Sequence, residues 1–168
     1  MAVTGSMALN AGISHTGTAE LTTPVESLGA LLTWAITSGT GANQMNILYT
    51  DRRTLALSTS EELDLAGGVV DRFGTTLTFS KIKFIAVIAA TANGGLIQVG
   101  GASSNGFVNW VASATDIVQV RAGGALLLVA PDSTAYAVTG GTGDLLKIAN
   151  TDGAAGATYD IVIGGVSA

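Results

Sequence analysis

Glycine comes in pairs, or beside Asn or Asp, at short intervals along the second half of the chain. The sites are Asn93-Gly94-Gly95, Gly100-Gly101, Asn105-Gly106, Gly123-Gly124, Gly140-Gly141 and Asp152-Gly153. Such dipeptides supply the positive φ values that tight turns need. Between them lie short apolar runs that read as strands: Leu96–Val99, Phe107–Val111, Ile117–Arg121, Ala125–Ala130, Ala135–Val138, Leu145–Ala149 and Tyr159–Ile163. In Ile117–Arg121, Val118 and Val120 face one way while Gln119 and Arg121 face the other, as in a half-buried antiparallel strand. Many short strands separated by regular turns predict an all-β fold, an antiparallel β-sandwich or a jelly roll.

The strand pattern begins near residue 46. Asn46–Thr50 predicts a strand, Asp51-Arg52-Arg53 a turn, and Thr54–Thr59 a second strand. Gly67–Phe73 reads as a short helical or irregular insertion. Leu77 and Phe79 then alternate with Thr76 and Thr78, and after Lys81–Phe84 the pattern merges into the apolar run Ile85–Ala90. An alternating start followed by an all-apolar run fits a strand that leaves the surface and crosses the core. Residues 1–45 differ: they are rich in Ala, Gly, Ser and Thr, with no sustained period. They predict an extended N-terminal arm on a body of residues 46–168. Thr16–Thr23 is a candidate strand, Leu28–Ile36 a strand or short helical turn, and Thr37–Asn43 a loop. The same composition also fits a flexible linker.

The chain has 168 residues, which suits one domain and an arm. Charged residues are only 11% of it, against roughly 25% in an ordinary soluble domain. Two surfaces fit so few charges: one buried against other subunits, or one covered by Thr, Ser, Asn and Gly. The net charge is −5, and basic residues are sparse, which argues against nucleic acid as a partner. No basic amphipathic helix points to a membrane surface. The apolar runs Leu28–Ile36 and Ile82–Ala92 are too short to cross a bilayer as helices. Met1–Ser6 lacks the basic and apolar regions of a signal peptide. With no cysteine there is no disulfide framework, thiolate nucleophile or Cys-ligated metal.

Candidate chemistry is thin, and the reading is of a protein without catalytic residues, cofactor or metal. The single histidine, His15, lies in the irregular arm without an orienting partner in sequence. Glu61, Glu62 and Asp64 cluster, with Asp71 nearby; Glu62 and Asp64 share one side of a strand. Paired carboxylates serve glycosidases, but charged strand edges also prevent unwanted pairing. A contact between Glu61 or Glu62 and Arg52 or Arg53 of a neighbouring subunit is a sharper expectation. Asn150–Gly153 lacks the closing acidic residue of a calcium loop, since Ile161 stands at the twelfth position. Gly140–Asp144 lacks the Gly-Lys-Ser/Thr of a phosphate loop. Trp34 and Trp110 are candidate interface residues; aromatics mainly supply buried area, and exposed ones stack on sugars.

A series of phrases across residues 60–168 resembles small β-rich structural proteins of tailed-bacteriophage particles, of the capsid cement or decoration type. They are Leu63-Asp64-Leu65, Asp71–Gly74, Thr76–Lys83, Val99–Asn105, Arg121–Gly124, Leu145–Asn150 and Tyr159–Gly165. The resemblance implies a β-sandwich or jelly-roll body, no catalytic motif, and a virion location after assembly in the host cytoplasm. It also implies the major capsid protein as partner and self-association, with local symmetry favouring a homotrimer. The competing expectations are a receptor- or glycan-binding module of a head or tail fibre, built on Trp110 or Tyr136, and a glycan hydrolase relying on Glu62.

Overall fold

The computed structural model describes residues 2–17 and 25–168. The chain is all-β, with no helix among the described residues. Two sheets pack face to face as a β-sandwich. The larger, six-stranded sheet holds β4 (Ile47–Leu55), β6 (Ala66–Val70), β7 (Thr76–Ala89), β10 (Ala125–Val129), β11 (Tyr136–Ala137) and β13 (Ala157–Ser167). Its main path runs β10-β7-β13-β4. The smaller sheet runs β5-β12-β8-β9, from Ser60–Asp64, Leu145–Asn150, Ile97–Gly100 and Ile117–Val120. Ile85, Val87, Ile161 and Ile163 of the larger sheet meet Leu63, Ile97, Leu146 and Ile148 of the smaller in one dry core. This is the sandwich that the glycine-spaced runs predict; the strand order does not by itself define a jelly roll.

Three local expectations are corrected. No turn forms at Asp51-Arg52-Arg53, because β4 runs through all three residues. Alternation sends Asp51 and Arg53 to one face and Arg52 to the other, and each charge finds a partner there, so the ladder is not interrupted. Gly67–Phe73 is not helical. Its first part lies in β6, which pairs with β7 across a register shift between Ala66 and Val69. Its last part is a turn in which the Asp71 carboxylate accepts the amides of Phe73 and Thr75 at 2.9 and 2.8 Å. Phe107–Val111 is not a strand. Phe107 is buried, but the chain turns at once, and the Trp110 indole donates to the Phe107 carbonyl at 2.9 Å.

The arm holds two strands, paired as a hairpin. β1 (Gly5–Thr16) pairs antiparallel along its full length with β2 (Val25–Ser38), from Gly5 opposite Ile36 to Thr16 opposite Val25. The strand reading of Leu28–Ile36 holds, and the helical one does not. Thr37 and Ser38, read as loop, still belong to β2. The candidate strand Thr16–Thr23 lies, beyond Gly17, outside the described residues. β3 (Gln44–Met45) then returns parallel to the end of β2 and hands the chain to β4.

One junction ties hairpin to body. Met7, Trp34 and Ile36 pack on Met45, Leu48, Phe84, Val129 and Val162. This cluster lies on the outer face of the six-stranded sheet, opposite the main core. It explains the apolar run in β7: near Phe84 that strand is covered on both faces. The Phe84 ring fits because Gly164 stands opposite it on β13; a Cβ there would overlap the ring and the Met45 sulfur. The register shifts beside Gly164, and Lys83 is the residue left out of the pairing. Its buried ammonium donates to the carbonyls of Gly41 (3.1 Å) and Asp132, clamping the loop after the hairpin to the body. Burial pushes the Lys83 amine down from its usual range.

Two substitutions test this junction. Gly164→Ala is expected to lower stability by about 1–3 kcal/mol through overpacking. Lys83→Met removes both hydrogen bonds of the buried ammonium and is expected to cost about 1–3 kcal/mol. Urea denaturation followed by tryptophan emission measures both, because Trp34 sits in the cluster.

Candidate functional site

The hairpin is the part of the molecule least accounted for by its own fold. Opposed residues of an antiparallel pair share a face. Met7, Leu9, Ala11 and Ile13 therefore lie beside Trp34, Leu32, Ala30 and Leu28, and His15 beside Glu26. The opposite face carries Ser6, Ala8, Asn10, Gly12 and Ser14 beside Ala35, Thr33, Leu31, Gly29 and Ser27. One face is thus built from large apolar side chains and the other mainly from small or polar ones. Only the first turn of the apolar face is covered. Leu9 is 48% exposed, Ile13 63%, Leu28 62% and Leu32 54%. A lone two-stranded ribbon is marginal in water, and a bare apolar face makes it worse.

The outer face of the six-stranded sheet continues this apolar strip beyond the hairpin base. Register places Leu127, Ala86, Val162 and Thr50 in one row. The next row is Ala125, Ile88, Asp160 and Arg52. Ile88 and Leu127 are exposed. Beside them the β6–β7 turn brings Arg72 over β4, where its Nε donates to Thr50 Oγ1 at 2.9 Å. Next to this turn is a groove of about 660 Å³ bordered by Val3, Leu48 and the exposed Phe73.

The charged residues singled out from sequence have partners within the chain. Arg52 and Asp160 face each other across β4 and β13 and form a bidentate pair, Nε–Oδ1 2.6 Å and Nη2–Oδ2 2.7 Å. Arg53 faces inward at the open edge of the sandwich. It binds Asp51 at 2.9 Å and Glu61 of β5 at 2.6 Å, linking the two sheets. The Glu61 carboxylate also accepts the hydroxyl of buried Tyr159 at 2.7 Å. Burial first, and this carboxylate second, push the Tyr159 phenol well above its usual range. Arg53 is held firmly charged by Glu61. Within one chain, then, Arg52 pairs with Asp160, and Arg53 with Asp51 and Glu61. Glu62 and Asp64 point away from the core on the edge strand β5, Glu62 beside Lys147 of β12. Asp64 accepts the amide of Ala66 at 2.8 Å.

The two tryptophans are not brought together. Trp34 belongs to the hairpin junction and Trp110 packs, partly buried, on the main core. His15 sits near the far end of the hairpin, opposite Glu26. Among the described residues no cluster of three or more His, Cys, Asp or Glu is placed to hold a metal ion, and no helix is long and apolar enough to cross a membrane. Sequence reasoning missed the hairpin face. The period-two series Met7-Leu9-Ala11-Ile13 and Leu28-Ala30-Leu32-Trp34-Ile36 was present, but alanines and Leu31 blurred it. Comparison with protein-family models, curated proteins and solved structures finds no match.

Two outcomes are expected at the charged edge. Tyr159→Phe removes one hydrogen bond to a carboxylate and is expected to lower stability by about 1.5–3 kcal/mol, read by denaturant titration. The Arg52 guanidinium holds the Asp160 carboxyl below the usual carboxylate range. A depressed folded value gives stability that is present above the unfolded value of about 4 and is lost as pH falls through the folded one. Asp160→Asn is therefore expected to flatten the fall of Tm below about pH 4.

Proposed function

We propose that this chain is a non-enzymatic structural subunit that works by packing against other subunits of a symmetric assembly, as a cement or decoration protein on a bacteriophage head. The observation that carries the proposal is the hairpin: a ribbon rooted in the body whose apolar face, beyond its base, is left exposed among the described residues. A scarcely charged surface supports the same reading, since contacts with neighbours relieve the poor solvation that 11% charge leaves. The phage identity rests on the sequence phrases of residues 60–168 alone.

In this reading the sandwich is a rigid block and the hairpin its clamp, set across a boundary between capsomers of the major capsid protein. Each contact adds roughly 25 cal/mol per Å² of apolar area removed from water, less the cost of association. Repetition over a symmetric shell multiplies a modest contact, as linked binding sites do. A homotrimer fits a local threefold position. The glycan-binding alternative has less support, because Trp110 and Tyr136, which would form its platform, are part-buried against the core.

Sedimentation with undecorated phage capsids tests the proposal. The full chain is expected to pellet with them at a fixed stoichiometry and to raise the temperature at which they break open. A protein that stays monomeric and remains in the supernatant would refute it.

A further inference from the structure

Both halves of a contact are present in this chain, and the chain cannot close that contact on itself. At its base, the apolar face of the hairpin lies on the outer face of the six-stranded sheet, Trp34 and Ile36 against Phe84, Val129 and Val162. Further out, the ribbon repeats the same chemistry with Leu9, Ile13, Leu28 and Leu32, but it has run off its own sheet and these side chains are exposed. The sheet, for its part, continues past the hairpin base with Ala86, Ile88 and Leu127, and Ile88 and Leu127 are exposed. We propose that the distal half of the hairpin seats on the outer sheet face of a second copy of this chain, extending there the packing that its base already makes at home. This rests on the structural-subunit reading and names one partner surface for it.

Size and charge agree with this occupant. The distal part of β1, Leu9 to His15, spans about 20 Å at strand spacing, and the strands β10-β7-β13-β4 are about 15 Å across. The far end of the ribbon face carries Glu26 beside His15. The far side of the sheet face carries Arg72, which donates to the Thr50 hydroxyl, and the Arg52–Asp160 pair. Among the described residues neither Glu26 nor Arg72 forms an ion pair. Docked with the apolar strips in contact, the carboxylate of one copy falls toward the guanidinium of the other. Ribbon and sheet face are different patches, so the contact is reciprocal in a twofold pair or repeats head to tail around a closed ring.

The chain has no cysteine, so introduced thiols report without interference. Leu28→Cys and Ile88→Cys are made as separate full-length proteins of distinguishable mass, mixed and mildly oxidised. The expected product is the mixed disulfide, formed faster than either homodimer. Leu28→Ser with Leu32→Ser is expected to reduce the light-scattering mass to that of one chain. Leu31→Ser, on the opposite face of the same ribbon, is expected to leave it unchanged. All four positions are exposed, so the body folds in every variant. Dominant Leu28–Leu28 cross-linking would mean ribbon on ribbon and overturn the inference. An oligomer indifferent to the Leu28/Leu32 double substitution and without the mixed disulfide would overturn it too, while leaving the structural-subunit reading intact. A monomeric wild type that still pellets with capsids would show that the ribbon serves another protein, again overturning only this inference. A monomer that ignores capsids would remove both.

Discussion

The architecture turns on how closely β7 and β13 approach at Phe84. The ring lies against the backbone of Gly164, with Met45 beside it, in a space that no side chain at position 164 would leave. This contact gives β7 a second buried face, and it is on that face that the hairpin stands. Without it the six-stranded sheet would have one core and one wet side, the usual arrangement for antiparallel sheets. The small cluster around Phe84 is therefore both the root of the hairpin and the reason that an apolar strip continues outward along the sheet. Lys83, displaced from the ladder at the same place, turns a potential defect into a clamp on the loop that follows the hairpin.

The charged side chains follow a different logic. Where a domain has few charges, each one spent on its own fold is unavailable for partners. Arg53, Asp51, Glu61 and the Tyr159 hydroxyl close the open edge of the sandwich. Arg52 and Asp160 zip the outer rows of β4 and β13. These groups hold the sheets in register, and such pairs serve specificity of arrangement as much as stability. The contact surface proposed above is mostly apolar, with Arg72 and Glu26 at its margins. An assembly built on such a face depends on shape and burial, and only secondarily on ion pairs.

Much of the fold could be read in the residues. The glycine pairs mark real turns at Gly100-Gly101, Gly123 and Gly141, where φ is positive. The runs between them are strands at most of the expected places, and the change from alternation to continuous apolarity in β7 marks a strand crossing from surface to core. The failures share a cause. Asp51-Arg52-Arg53 looks like a turn because three charged residues are rarely welcome in a strand, yet here Arg52 meets Asp160 across the sheet and Arg53 bridges Asp51 and Glu61. Gly67-Gly68 looks irregular because a bulge and a strand share that composition. Phe107 and Trp110 look like a strand because burial and strand are not the same thing.

By itself, the sequence determined the fold class, the turns and the inward residues of most strands, because backbone conformation and side-chain alternation act over a few residues. Only the tertiary structure decided which strands are neighbours, that Arg53 meets Glu61 within one chain, and that Gly5–Thr16 and Val25–Ser38 pair into a ribbon with a largely exposed apolar face. Those outcomes depend on pairing between distant segments. A residue's face has meaning only once its strand has a partner, and whether that face is covered depends on what the rest of the chain brings against it.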